Sequence, residues 1–202
     1  MNKLNYGVFS EFWDGHPNHL PLLNLYEPPE SHKDLNLAKS IDRLDFIIST
    51  NSEEAITDGI QLLLEDDNWR PHLVAALVIL KISKIQQSKM KMLLWKRVKQ
   101  WSWVSPQILV VLSMIDPEFD RLAKDLQGYG YKTEHANMDG LLENQKKGPV
   151  QITINESKAI ASAQYLLNGA IVDTDNNDRG GSIAKNWKQN LMKLIETGRF
   201  SL

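Results

Sequence analysis

Trp69-Arg70-Pro71-His72-Leu73-Val74-Ala75-Ala76-Leu77 and Trp103-Val104-Ser105-Pro106-Gln107-Ile108-Leu109-Val110-Val111-Leu112 repeat one order of features. In each, a tryptophan leads, a proline follows within three residues, and an apolar run opens two residues after the proline. Pro71 and Pro106 stand thirty-five positions apart, with one residue inserted after the second tryptophan. A proline at the first helical position suits its neighbours, because the N–H it lacks has no partner there and its fixed φ is already helical. Leu73 through Ile85, and again Ile108 to Ile115, read as helices apolar nearly all round, and such helices are covered on several sides.

Working outward, each buried helix has an amphipathic one before it. The first begins near Ser52, a capping residue with Glu53 and Glu54 in the favourable first turn. It continues through Ala55, Ile56, Ile60, Leu63 and Leu64 to Glu65, and Asp66-Asp67-Asn68 ends it. The second is expected from Ser88, carrying Met92, Leu93, Trp95 and Val98 toward the turn Trp101-Ser102-Trp103. An amphipathic helix, a turn and a buried helix at this period form the pattern of a helical solenoid. The stretch from Leu35 to Gln127 resembles HEAT-like repeats, in which antiparallel helix pairs stack side by side. That resemblance implies an all-α fold, a short right-handed stack of antiparallel pairs, whose commonest use is to grip another macromolecule. It rests on pattern and names no activity.

The remaining segments frame the repeats within one expected domain. Residues 1–34 read as an irregular N-terminal arm, because Pro17, Pro21, Pro28 and Pro29 interrupt any long helix. Phe9, Phe12, Trp13 and Tyr26 imply that this arm lies against the body. Residues 35–127 are the repeats, opened by a helix with Leu37, Ile41, Leu44 and Ile48 on one face. A helix after Asp116-Pro117-Glu118 is expected to stop at Gly128. Residues 128–149 read as a polar connection and 150–202 as a helical cap. In that cap Val150 to Ile154 alternates like a short strand, and helices are expected from Asn155 or Ser157 and from Ser182 to Thr197.

The 202 residues are 42% apolar and 24% charged, with no cysteine and a formal charge of -2. These values exclude collagen-like, disordered and disulfide-stapled classes. Without cysteine, neither thiolate catalysis nor cysteine-ligated metal is available. The longest apolar run, Leu73 to Leu80, is far short of the roughly twenty residues a membrane span requires. The first residues lack the apolar core of a secretory signal, so the expected location is the cytoplasm and no membrane is expected as a partner.

Chemistry-bearing residues are few. His16 and His19, with Glu11 and Asp14 nearby, offer imidazoles and carboxylates to a metal, but a proline separates them in a loop; a polar turn is the plainer reading, and neither metal nor cofactor is expected. His72 and His135 read as structural or solvated. Asp173 to Gly181 begins like a calcium loop, then fails: Asp178 stands where the turn glycine belongs and Ala184 where the bidentate glutamate belongs. Gly180-Gly181 would present backbone donors to an anion. No catalytic motif is legible, so no catalytic residue is assigned.

Charge is the asymmetric feature. Between Pro71 and Ile115 there is no acid, whereas Lys81, Lys84, Lys89, Lys91, Lys96, Arg97 and Lys99 are present. Between Asn51 and Asn68 the reverse holds. The expectation is a non-enzymatic protein-binding module, and by analogy of size a bacterial toxin-neutralising immunity protein whose partner is the toxin. Its contact residues would be Trp13, Glu65, Asp66, Asp67, Lys84, Lys89, Lys91, Lys96 and Arg97. The alternative is nucleic-acid binding through the basic stretch from Lys81 to Lys99, with Trp95, Trp101 and Trp103 stacking on bases.

Overall fold

The structure, a computed structural model, describes residues 5–13, 19–26, 36–127 and 153–202. Among them all regular elements are helical and none is a strand. The helices are α1 (Leu37–Thr50), α2 (Glu53–Glu65), α3 (Trp69–Lys81), α4 (Lys84–Lys99), α5 (Ser105–Ile115), α6 (119–127), α7 (Ile154–Asn168) and α8 (Gly180–Glu196). Short 3-10 turns span Gly7–Phe12 and Leu20–Leu23 in the arm and Asp175–Asn177 before α8.

Side-chain caps set most of the helix starts. Asn36, Ser52, Asn68 and Thr153 each accept a backbone N–H from the first turn of the helix that follows. The expected start at Ser88 is wrong. Ser83 caps α4 in a reciprocal capping box with Gln86, and Ser88 lies inside the helix. Accordingly α3 ends at Lys81 rather than Ile85, and Ile82 turns the chain in an extended conformation. The cap helices also begin earlier than expected, α7 at Ile154 and α8 at Gly180. Ile154 is thus helical rather than the end of a strand; the rest of that strand and the 128–149 connection lie outside the described residues.

The core is built around α3 and α5. Ten consecutive residues of α3, Pro71 to Leu80, are buried, as are eight of α5, Ser105 to Leu112. The two helices pack on each other; α2 packs on α3, α4 on α5, and α2 on α4, while α7 and α8 both lie against α5. The repeated tryptophans meet: the rings of Trp69 and Trp103 are 4.7 Å apart at 44°.

The arm closes another side. Phe9 and Phe12 are fully buried, and Phe9 sits so near Gly59 of α2 that a Cβ there would lie 2.7 Å from its ring. Tyr6 donates to the Asp66 carboxylate at 2.7 Å. Three side chains of α5 and α8 clasp successive arm carbonyls: Trp187 donates to Leu22, Gln107 to Leu23 and Asn190 to Asn24.

α7 and α8 cross at a backbone contact. Gly180 faces the carbonyl of Lys158, and a Cβ would collide with that main chain. Beside the crossing, buried Lys158 pairs with Asp178 at 2.5 Å and lies 4.0 Å over the Trp103 ring. The N-terminus of α8 takes its anion from within the chain: Asp173 accepts from the N–H of Gly181 at 2.9 Å and of Ser182 at 3.0 Å. The acidic loop is therefore committed internally, and no cluster of metal-ligating side chains forms among the described residues. No described helix is long and apolar enough to cross a membrane.

Gly180→Ala is expected to destabilise the chain by about 3 kcal/mol, because the methyl meets backbone that cannot rotate away. Gly169, which ends α7 at φ +76° with open space around it, should lose only about 1 kcal/mol on the same change. Thermal unfolding of the two variants checks the order, and equal losses would show that the helices can slide apart.

Candidate protein-binding surface

The outward face of α4 combines features found nowhere else in one described helix. Lys84, Ile85, Ser88, Lys89, Met92, Lys96 and Lys99 are all exposed. At 100° per residue they fall within less than half a turn of the helix circumference. Ile85 is 72% exposed and Met92 59%; seven residues apart, they form an apolar ridge with lysines on either side. None of these four lysines makes an ion pair among the described residues.

The other basic residues of the stretch are engaged. Lys81 is 4% exposed in its side chain, pairs with Asp45 at 2.7 Å, and lies 4.1 Å over the Phe200 ring. Lys91 pairs with buried Asp116 at 2.7 Å. Arg97 donates to the carbonyl of Leu64, tying α4 to the end of α2. The tryptophans have internal partners too, although Trp103 keeps 38% of its surface exposed. Trp95 is buried and donates to Asp116 at 2.8 Å, Trp101 packs partly buried against the core, and Trp103 lies between Trp69 and Lys158.

The acidic candidates divide in the same way. Asp66 accepts from Tyr6 and, through Oδ1, from the Asn68 N–H at 2.6 Å. Glu65 and Asp67 are exposed. Glu54 and Asp58 are exposed along α2 as well, so an acidic helix face and a basic one belong to neighbouring helices. Trp13 is partly buried, stacked on His19 at 5.0 Å and tilted against Tyr6 at 4.5 Å. His16 lies outside the described residues.

Ile85, Ser88, Met92 and Lys99 are the members of this face outside the contact set expected from the sequence. Ile85 falls at the end of the expected buried helix, and Met92 among the apolar residues of the helix expected from Ser88. The signal was present in Ser83-Lys84-Ile85-Gln86, whose serine and glutamine form the capping box.

One buried pair resembles catalytic machinery and is better understood as a brace. Ser102 donates to His72 Nδ1 at 2.8 Å, and His72 Nε2 donates to the Asp66 carbonyl at 2.7 Å. Serine and histidine are 8% and 3% exposed. Burial is the main cause that lowers the His72 pKa to about 4, with Arg97 adding to it. An imidazole that resists protonation so strongly is a poor proton acceptor for a hydroxyl nucleophile; the relay instead joins the α2–α3 turn to the α4–α5 turn.

No family model matches the chain, and neither a curated protein nor a solved structure matches it.

The pH consequence of the brace has a definite sign. Above the unfolded-state value of about 6.5 both states hold a neutral imidazole. Below it the unfolded chain takes up a proton that folded His72 refuses until about pH 4. Stability should therefore fall as pH drops through this window, by ~3 kcal/mol in all from this group. In His72→Gln, which places at this position the residue found at its repeat equivalent, the loss between pH 6.5 and 4 should shrink by that amount. Urea unfolding at several pH values measures it; parallel curves for the two proteins would remove His72 as the cause.

Proposed function

We propose that this chain is a non-enzymatic helical-repeat module that binds another protein through the exposed face of α4. The observation that carries the reading is the ridge of Ile85 and Met92, 72% and 59% exposed, set among four exposed lysines that make no ion pair among the described residues. Apolar side chains in the middle of an interface and charges around them are how binding surfaces divide affinity from orientation. The fitting partner is a protein with acidic side chains around an apolar recess.

The finer architecture we attach to this is HEAT-like, with α2/α3 and α4/α5 as two antiparallel pairs in a right-handed stack. Support comes from contacts within each pair, from α2 against α4 and α3 against α5 between pairs, and from Trp69 meeting its repeat mate Trp103. Within this class, a cytoplasmic bacterial immunity protein that neutralises a toxin is the role that the small size suggests by analogy.

Nucleic acid is the weaker partner on the same face. With Lys81 and Lys91 paired to carboxylates and Arg97 held by the Leu64 carbonyl, three members of the basic stretch are turned to internal partners, and the Trp95 ring is buried.

The Lys89→Glu/Lys96→Glu double variant is expected to keep its thermal stability, since exposed substitutions away from structural contacts change it by about 0.5 kcal/mol or less. It should lose a stoichiometric protein partner that the unchanged chain captures from lysate in the presence of nuclease. Capture that disappears on nuclease treatment and at raised salt would transfer the face to nucleic acid. Capture of the same protein by the double variant would remove α4 as the binding surface.

A further inference from the structure

The exposed face of α4 has the period of a seam between two helices. Ile85, Met92 and Lys99 follow one another at intervals of seven residues, and exposed Ser88 stands between the first two. Seven residues are the interval at which one helix repeatedly meets another laid along it. On the helix circumference Lys89 and Lys96 fall within about 60° of the line through Ile85 and Met92 on one side, and Ser88 and Lys99 within the same angle on the other.

The spacing selects the shape of what can cover this ridge. Along the axis Ile85 and Met92 are about 10.5 Å apart. That is two turns of a partner helix, which offers a hole between its side chains to each knob in turn. An extended strand advances about 3.3 Å per residue and turns alternate side chains to opposite faces. Its side chains on one face therefore recur at about 6.6 Å and fit the ridge at one point only. The flanks select the sign of the partner's charge. Lysines beside an apolar seam favour carboxylates at the flanking positions of the helix that covers it. From Lys84 to Lys99 the face runs about 22 Å, the length of about four helical turns.

We propose, on the reading of α4 as the binding surface, that the element seated there is an acidic amphipathic helix of the partner protein. Its apolar stripe of seven-residue period covers Ile85 and Met92 and removes both from water. Lys89 and Lys96 are themselves seven residues apart, so two carboxylates at that spacing on the partner helix meet both lysines at once.

The probe is a hydrocarbon-stapled helical peptide of about 18 residues, with leucine at the heptad core positions and glutamate at the flanking ones. It is titrated into the full chain while the Ile85 Cδ1 and Met92 Cε methyl resonances are followed by NMR, and both should shift saturably. A peptide of the same composition in scrambled order should bind at least about tenfold more weakly, and one with lysine for every glutamate should not bind. Against the Lys89→Glu/Lys96→Glu variant the preference should reverse, which a loss of structure cannot produce. Failure of the ordered peptide to move the two methyls overturns the proposal, as does equal binding of the ordered and scrambled peptides. Capture from lysate reads the surface separately. A protein held by the unchanged chain and lost from the double variant keeps α4 as the binding surface even where the peptide fails, and a captured partner that contacts α4 through a strand or loop overturns the helix alone.

Discussion

Two helices without a polar face, α3 and α5, impose the condition that the remaining elements satisfy. Each buried aliphatic side chain contributes roughly 1.5–3 kcal/mol only if it is removed from water, so a helix apolar all round is stable only when every side is covered. α3 and α5 cover one another along one line. The amphipathic helices α2 and α4 supply further sides, α7 and α8 lie against α5, and the arm brings Phe9 and Phe12 to α2. Each covering element buries one stripe and leaves another in water. The surface chemistry of the protein is thus whatever these covers carry on their second face.

Apolar contact has no direction, and it alone would let the helices slide. Buried polar groups at the turns fix their order. His72 spans two turns, and its repeat mate Gln107 reaches the arm instead. Asp116 collects Lys91, the Trp95 indole and the Glu118 N–H. Burial by itself would raise the pKa of that carboxyl, yet the bonds from Lys91, Trp95 and the Glu118 N–H outweigh it and hold the group ionised. Lys158 is placed the same way, between Asp178 and the Trp103 ring. A buried charge is tolerable when its partners are this complete, and breaking one side leaves the other exposed to the full desolvation penalty.

The helical class and the burial of α3 and α5 were legible in the sequence because period and proline placement are local signals. The cap at Ser52 was legible for the same reason, whereas Asn68, read only as the end of a polar turn, proves to cap α3, so that Pro71 stands third in the helix rather than first. The start of α4 was missed although Ser83 and Gln86 stood at capping-box spacing: the apolar run from Leu73 continued visually through Ile82 and Ile85, and hydropathy masked the cap. That one shift decided the site, since it rotates Ile85 from the core into water. What no single sequence displays is which charges find each other. Lys91 and Asp116 lie twenty-five positions apart, Lys81 and Asp45 thirty-six, and only the packing of helices brings them together.

The same pairing argument separates the two partners that a basic stretch suggests. Phosphate binding gains from each added cation, because every neutralised phosphate releases counterions; a surface shaped for it would keep its lysines and arginine outward. Here the fold draws Lys81, Lys91 and Arg97 inward as braces and leaves Lys84, Lys89, Lys96 and Lys99 around two large apolar side chains. Isolated exposed apolar residues are ordinary. A pair on one helical face with lysines as its flanks is a different arrangement, since exposing Ile85 and Met92 gains nothing in water and nothing against phosphate. On the reading we propose, it gains where a protein partner covers the ridge and presents carboxylates to the lysines.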